Sequence, residues 1–248
     1  MKKRLFSLLF LFHIPLILFA SDIKVVRWGT EIWKGFTDED GSGLYTQVLT
    51  RIFDLEEIEL ETHIYPFSRA LHLTENGELD LAGGIPKNSK LGENCLQARY
   101  PIVVSRFSAF YNKKNTGPLR DVDSLRDKKI ICTLSVGEMI GLKEDEYEVV
   151  TTRDQAINLV LIGRYDVYID DEKVLQTTME TYEHQFNRNE YASPVVATKG
   201  WYMIATDSRR GREILDIFDR GMETLIKTGE LITLYESLGF IPPAVIPE

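Results

Sequence analysis

The stretch RALHLTENGELDLAGG, residues 69–84, sets a helical apolar spacing, a glycine stop and a short apolar strand end to end. The chain then repeats it. In QAINLVLIGRYDVY, residues 155–168, Ala156, Leu159, Gly163 and Asp166 stand where Ala70, Leu73, Gly77 and Asp80 stand before, at a common offset of 86 residues. A glycine after a helix takes the left-handed turn at little cost, so one such run is an ordinary helix-to-strand connection. Four coincident positions predict two α/β units of shared architecture.

Working outward, residues 23–28 form a β-branched run that stops at Gly29, and Leu44, Val48, Leu49 and Ile52 give residues 44–53 a helical spacing. A strand over 58–64, a helix over 67–75 and a strand over 79–83 follow, the last broken at Gly83-Gly84 and continued by polar, basic residues. The second unit predicts strands at 129–133, 147–150 and 166–170 and helices at 136–143 and 171–184. A further helix is announced by the capping box Thr152-Arg153-Asp154-Gln155. A strand over 200–205 and two amphipathic helices over 210–227 and 231–238 complete the chain. Alternation of this kind implies parallel strands joined by crossover helices.

The first residues bound the compartment. Lys2, Lys3 and Arg4 precede an apolar run over 5–19, the pattern of a secretory signal, with cleavage expected after Ala20. No cysteine lies near that cut, so a lipid-anchored form is not expected, and the run is shorter than the ~20 residues of a membrane-spanning helix. About 228 residues remain, enough for one large domain or two lobes with their own cores. Losing the three basic residues moves the formal charge from -9 to -12, which argues against nucleic acid as a partner. Cys95 and Cys132 are too few for a disulfide scaffold.

Several chemistries lack their residues. There is no Gly-x-Ser-x-Gly elbow, no phosphate loop and no dinucleotide fingerprint, and no cofactor is expected. His63, His72 and His184 are far apart, and DEDGSG at 38–43 lacks the distal glutamate of a calcium loop and is expected to be a solvated turn. What remains is a set of aromatic, acidic and basic residues at strand ends, where ligands lodge in open α/β sheets. They are Glu31, Trp33, Phe67, Arg69, Gly83, Gly84, Lys90, Ser135, Gly137, Asp170 and Asp171. Singly, each also suits packing, capping or solvation; together they suggest a polar small molecule held between two lobes.

The runs VVRWGTE, PFSRALHLTENGELDLAGG, DVDSLRDKKIICTLSVG, AINLVLIGRYDVYIDDE and TGELITLYESLGF resemble, in order and spacing, the extracellular solute-binding proteins of family 3. These are the amino-acid-binding type II periplasmic binding proteins. The resemblance implies two α/β lobes joined by a two-strand hinge: residues 22–105 plus 203–248 in one lobe, 106–202 in the other. It implies an aromatic packing on the ligand at Phe67 and a second near Trp33, backbone groups facing the ligand at Gly83 and Gly84, and an amino-group partner at Asp171. Residues 135–137 fall where helix-start N–H groups take an anion. Where the family carries an arginine for the ligand carboxylate, this chain has Lys90, which cannot make a two-pronged fork. The resemblance thus implies a monomeric periplasmic protein that captures an amino acid or related solute and hands it to an ABC transporter. Two alternatives stay open: a sensory input to a membrane receptor, and a dehydratase-like enzyme with Glu31, Asp170 or Asp171 as acid or base.

Overall fold

A computed structural model describes residues 23–240, apart from 88 and 134, together with residue 242. The signal-like segment 1–20 lies outside the described residues. Among those that are described, no helix is long and apolar enough to cross a membrane.

The elements run β1 (Val25–Thr30), α1 (Leu44–Asp54), β2 (Glu59–Ile64), α2 (Phe67–Glu75), β3 (Leu81–Pro86), β4 (Cys95–Asn112), β5 (Ile130–Cys132), α3 (Val136–Met139), β6 (Tyr147–Val149), α4 (Arg153–Leu161), β7 (Val167–Asp171), α5 (Glu172–Thr181), β8 (Tyr191–Ala192), β9 (Val195–Thr206), α6 (Arg209–Thr228) and α7 (Glu230–Ser237). They build one sheet in the order β2-β1-β3-β9-β4-β7-β5-β6, with β8 paired to β4 off that path. The order is a palindrome of topology. Each half is a β-α-β-α-β unit whose three parallel strands stand second, first, third, and each is flanked by one antiparallel long strand.

The repeat seen in the sequence is repeated in the hydrogen bonds. After α2, Gly77 sits at φ 77° and the N–H groups of Glu78 and Leu79 both reach the Leu73 carbonyl; after α4, Gly163 sits at φ 72° and Arg164 and Tyr165 both reach the Leu159 carbonyl. The aspartates then grip the neighbouring strand. Asp80 donates its N–H to the Arg27 carbonyl and accepts the Arg27 N–H at 2.9 Å, while Asp166 donates to the Lys129 carbonyl and accepts the Lys129 N–H at 2.8 Å. Each aspartate thus registers the third strand of its unit against the first.

Asp80 goes further than its counterpart. Its carboxylate, only 4% exposed, accepts five N–H groups from Arg27 and Arg210, and Arg210 also donates to the Val25 carbonyl. Helix α6 is thereby tied to the edge of β1 and β3. Its apolar face, with Ile214, Ile217, Phe218, Met222 and Leu225 at helical spacing, buries against Trp28, Ile52 and Phe53. Each such side chain contributes roughly 1.5–3 kcal/mol.

The apolar residues gather separately in the two halves. In the first, a large cluster collects residues from 23–103 and 203–240 and a small one joins Leu71, Ala82, Ile85 and Ile204; in the second, two clusters on the two faces of the half-sheet collect residues from 107–197. The chain passes between the halves on β4 and β9, which pair antiparallel through Val103↔Trp201, Ser105↔Lys199 and Phe107↔Ala197. Cys95 and Cys132 are both free and lie in different halves.

Some boundaries differ from the sequence reading. The strand of 79–83 does not break at Gly83-Gly84: β3 continues to Pro86, with a register shift that lets Ile85 and Pro86 pair with Tyr202 and Trp201. The glycines answer to β9, because a Cβ on Gly83 would stand 2.7 Å from the Tyr202 carbonyl oxygen and 2.8 Å from the Met203 Cα. The long β4 has no counterpart among the strands read from the sequence, and β9 begins at Val195, five residues before the strand expected at 200. The helix expected over 136–143 closes after Met139, and that over 171–184 ends at Thr181, with a 3-10 turn at Glu183–Gln185.

Burial alone would raise the Asp80 pKa, but the hydrogen bonds from Arg210 and Arg27 outweigh it and hold the carboxyl at about 2. The folded value lies below the unfolded one of ~3.9, so this contribution is present above pH ~4 and is lost as pH falls toward 2. Urea midpoints measured from pH 5 down to 2 should therefore drop steeply below pH ~4. Asp80→Asn should cost roughly 2 kcal/mol near pH 7, because both guanidiniums can turn to water, and should flatten that acid limb. Gly83→Ala, at φ 145° and against unyielding backbone, should cost roughly 2–4 kcal/mol. Gly163→Ala, with open space around its Cβ, should cost only the left-handed strain of about 1 kcal/mol in the same titration.

Candidate functional site

The parallel strands of the first half end at Thr30, Ile64 and Pro86; the loops beyond them carry Glu31, Trp33 and Lys90, and the first turn of α2 carries Phe67 and Arg69. The loop after β1 is locked by Thr37, 1% exposed, which accepts the Trp33 N–H at 2.7 Å and donates to the Glu31 carbonyl. Glu31 then spends its carboxylate on structure. Helix α2 follows Pro66, whose side chain cannot cap it, and Glu31 Oε2 accepts the Phe67 N–H at 3.1 Å instead. That bond holds Phe67 beside Trp33, ring centroids 4.8 Å apart at 65°. Both rings are half-buried, as a wall for a ligand requires.

From this pair an aromatic row continues inward. Trp33 meets Tyr45 at 6.4 Å, Tyr45 meets Phe36 at 5.5 Å, and Phe36 meets Phe240 at 4.8 Å. Gly84 is where β3 passes under the row, since an added Cβ would stand 2.9 Å from the Tyr45 hydroxyl. Arg69 is exposed and lies over the Tyr65 ring at 5.0 Å, on the outer side of α2. Lys90 is exposed on the loop between β3 and β4, where it lines a separate hollow with Ile85, Ser89, Gly92 and Gln97.

In the second half the strand ends carry the carboxylates. Asp171 closes β7 and caps α5, its Oδ1 accepting the N–H groups of Lys173 at 3.1 Å and Val174 at 3.4 Å. Asp170 is turned inward and 3% exposed; its Oδ2 accepts from the Tyr168 hydroxyl at 2.6 Å and Arg153 Nε at 3.3 Å, and its Oδ1 accepts the Asp171 N–H. Burial, then the bond to Asp170, pushes the Tyr168 phenol far above its usual range. Ser135 stands at φ 68° before α3 and makes no side-chain cap. Helix α3 is a single turn, too short to offer a helix-start anion site, and Gly137 is buried against the Tyr147 ring, which an added Cβ would meet at 2.5 Å. Burial pushes the pKa of the Cys132 thiol up to about 11, with the nearby Gly137 N–H opposing the rise.

The two sides meet over a cavity of about 250 Å³. Phe36 and Phe240 line it from the first core, Asp171, Glu172 and Lys173 from the second, and the crossing strand β4 floors it with residues 103–106. Arg106 pairs with Glu172 at 2.9 Å, and Lys173 Nζ donates to the Gly239 carbonyl at 2.8 Å, joining α5 to the turn after α7. The structure thus brings Glu31, Trp33 and Phe67 together, and Asp170 and Asp171 together, with Asp171 facing Phe36 across the cavity. Lys90 lines a separate hollow and Arg69 lies on the Tyr65 ring, whereas α3, with Ser135 before it and Gly137 in it, packs beside β7. Sequence reasoning missed Phe36, Arg106, Lys173 and Phe240. Arg106 lies in the run from Tyr100 to Tyr111, whose valines and aromatics were the available signal for a strand. Arg153 entered only as a member of a capping box, of which the structure shows the Thr152 Oγ1 to Gln155 N–H bond.

No protein-family model matches the chain, and no curated protein matches it in sequence. Solved structures do. The L-cystine solute receptor of Neisseria gonorrhoeae, in its unliganded open conformation, matches with a TM-score of 0.62 at 16% identity, over 89% of this chain and 95% of that one. A probable amino-acid ABC transporter extracellular-binding protein of Bacillus subtilis matches with a TM-score of 0.58 at 15% identity, over 87% and 97%. A histidine kinase sensor domain with similarity to periplasmic binding proteins matches with a TM-score of 0.51 at 15% identity, over 90% and 99%. At such identities the likeness speaks of architecture, and the chain has the fold of the type II periplasmic binding proteins.

Proposed function

We propose that this protein is exported, as residues 1–20 suggest, and captures a small polar or zwitterionic solute, an amino acid or related compound, between two lobes. The lobes correspond to residues 22–105 plus 203–248 and residues 106–202, and they close by bending where β4 and β9 cross. The observation that carries this reading is the division of groups between two separate cores. The aromatic wall of Trp33 and Phe67 stands at strand ends of one, the carboxylate of Asp171 at strand ends of the other. Neither set encloses a solute alone; closure brings both to it and excludes water. The loaded monomer then delivers its solute to an ABC transporter in the inner membrane.

A second reading is favoured by the sensor-domain match: the loaded form reports its solute to a membrane receptor. Uptake of labelled solute by cells lacking the protein separates the two. Delivery requires that uptake fall, and sensing requires that uptake persist while the response is lost.

Capture itself is tested by melting the purified protein against pools of amino acids, amines, short peptides and sugars. A solute at 100 times its Kd should add roughly 2.7 kcal/mol and raise Tm by about 5–10 °C. Trp33→Ala and Phe67→Ala should each reduce that rise while leaving the solute-free protein folded. A folded protein whose Tm no pool raises would sink the capture reading.

A further inference from the structure

Resting on the capture reading, we infer that Arg153 takes the anionic group of the solute. The carboxylate anchor then stands on the second core and not at Lys90. Arg153 is the first residue of α4, on the strand-end surface that also carries Asp170 and Asp171. Its Nε reaches the buried Asp170 Oδ2 at 3.3 Å. Asp170 is itself held by the Tyr168 hydroxyl at 2.6 Å, the Asp171 N–H at 2.8 Å and the more distant Thr133 hydroxyl at 3.5 Å, so the guanidinium is oriented by a fixed partner.

That contact uses one N–H of the five that a guanidinium carries. Among the described residues, no hydrogen bond or ion pair is formed by Nη1 or Nη2, and the side chain is 54% exposed. A planar fork held from behind by a buried carboxylate is oriented for a planar oxyanion, and less entropy is lost on binding than for an untethered side chain. Because Asp170 offsets part of the charge, recognition depends on the paired donors, which favours a carboxylate over a spherical anion.

The other cations near the strand ends are engaged differently. Arg106 pairs with Glu172, Lys173 with the Gly239 carbonyl, and Arg69 lies on the Tyr65 ring. Lys90 offers a point charge without a fork. The solute class is then a small amine that bears a carboxylate, its amino group meeting Asp171.

The test melts and titrates four proteins: wild type, Arg153→Ala, Arg153→Lys and Lys90→Ala. The probes are a pool of the common L-amino acids with L-cystine, and a matching pool of amino-acid amides that lack the carboxylate. The expected result is a raised Tm for wild type with the acids and not with the amides. Affinity should fall roughly 10- to 100-fold in Arg153→Ala, fall also in Arg153→Lys, which keeps charge without the fork, and stay near wild type in Lys90→Ala. Solute-free melting verifies that each variant is folded. Undiminished binding by Arg153→Ala or Arg153→Lys, or equal binding of acids and amides, overturns the inference and leaves capture standing. Silence of wild-type protein toward both of these pools and toward the amines, peptides and sugars overturns capture, and the inference with it.

Discussion

The antiparallel pairing of β4 with β9 is the constraint on which the rest depends. Both strands are long enough to belong to each core in turn, and their ladder runs through the gap where the apolar clusters part, between Val103 and Phe107 on one and between Ala197 and Trp201 on the other. Backbone groups crossing such a gap need partners, and each strand supplies the other's. Trp201 adds a side-chain bond from its Nε1 to Ser105 Oγ at 2.9 Å. Register shifts near Pro101 and after Phe107 bend the pair at the edges of the gap, as bulges do. The continuous sheet therefore has a narrow waist.

On either side of that waist the same device is built twice. A helix stops on a left-handed glycine, and an aspartate three residues later clamps the third strand to the first. The two clamps differ in weight. Asp166 holds one backbone N–H of Lys129, whereas Asp80 gathers two guanidiniums and anchors α6, which returns after the second half to finish the first core. A chain that leaves a core and comes back to it needs such a fastening, since the returning helix has no local neighbour to place it.

The proposed capture rests on the way the halves divide their chemistry. Aromatic surface lies at the strand ends of one and acidic groups, with Arg153, at the strand ends of the other. Several residues that look like ligand contacts also hold the site's own frame: Glu31 caps α2, Asp170 fixes Arg153, and Gly83 gives β9 room. Such double use is a reason that a list of polar residues at strand ends overstates the number free to meet a solute.

Much of the fold was legible in the sequence because its signals are local. Helical spacing at Leu44, Val48, Leu49 and Ile52, the helix over residues 67–75 and the paired glycine stops each lie within a window of one or two turns, where side-chain periodicity and backbone preference act directly. The chain by itself determined two like α/β units and the strand ends at which polar groups would gather. Tertiary structure decided what those groups touch. Whether Gly83-Gly84 ends a strand or makes room for β9, whether Lys90 or Arg153 stands beside a buried carboxylate, and where Phe240 lies depend on pairings across more than a hundred residues in the first and last cases and on side-chain reach in the other. The physical reason is that periodicity fixes which face a residue presents, while its partner is set by packing between segments that carry no mark of one another.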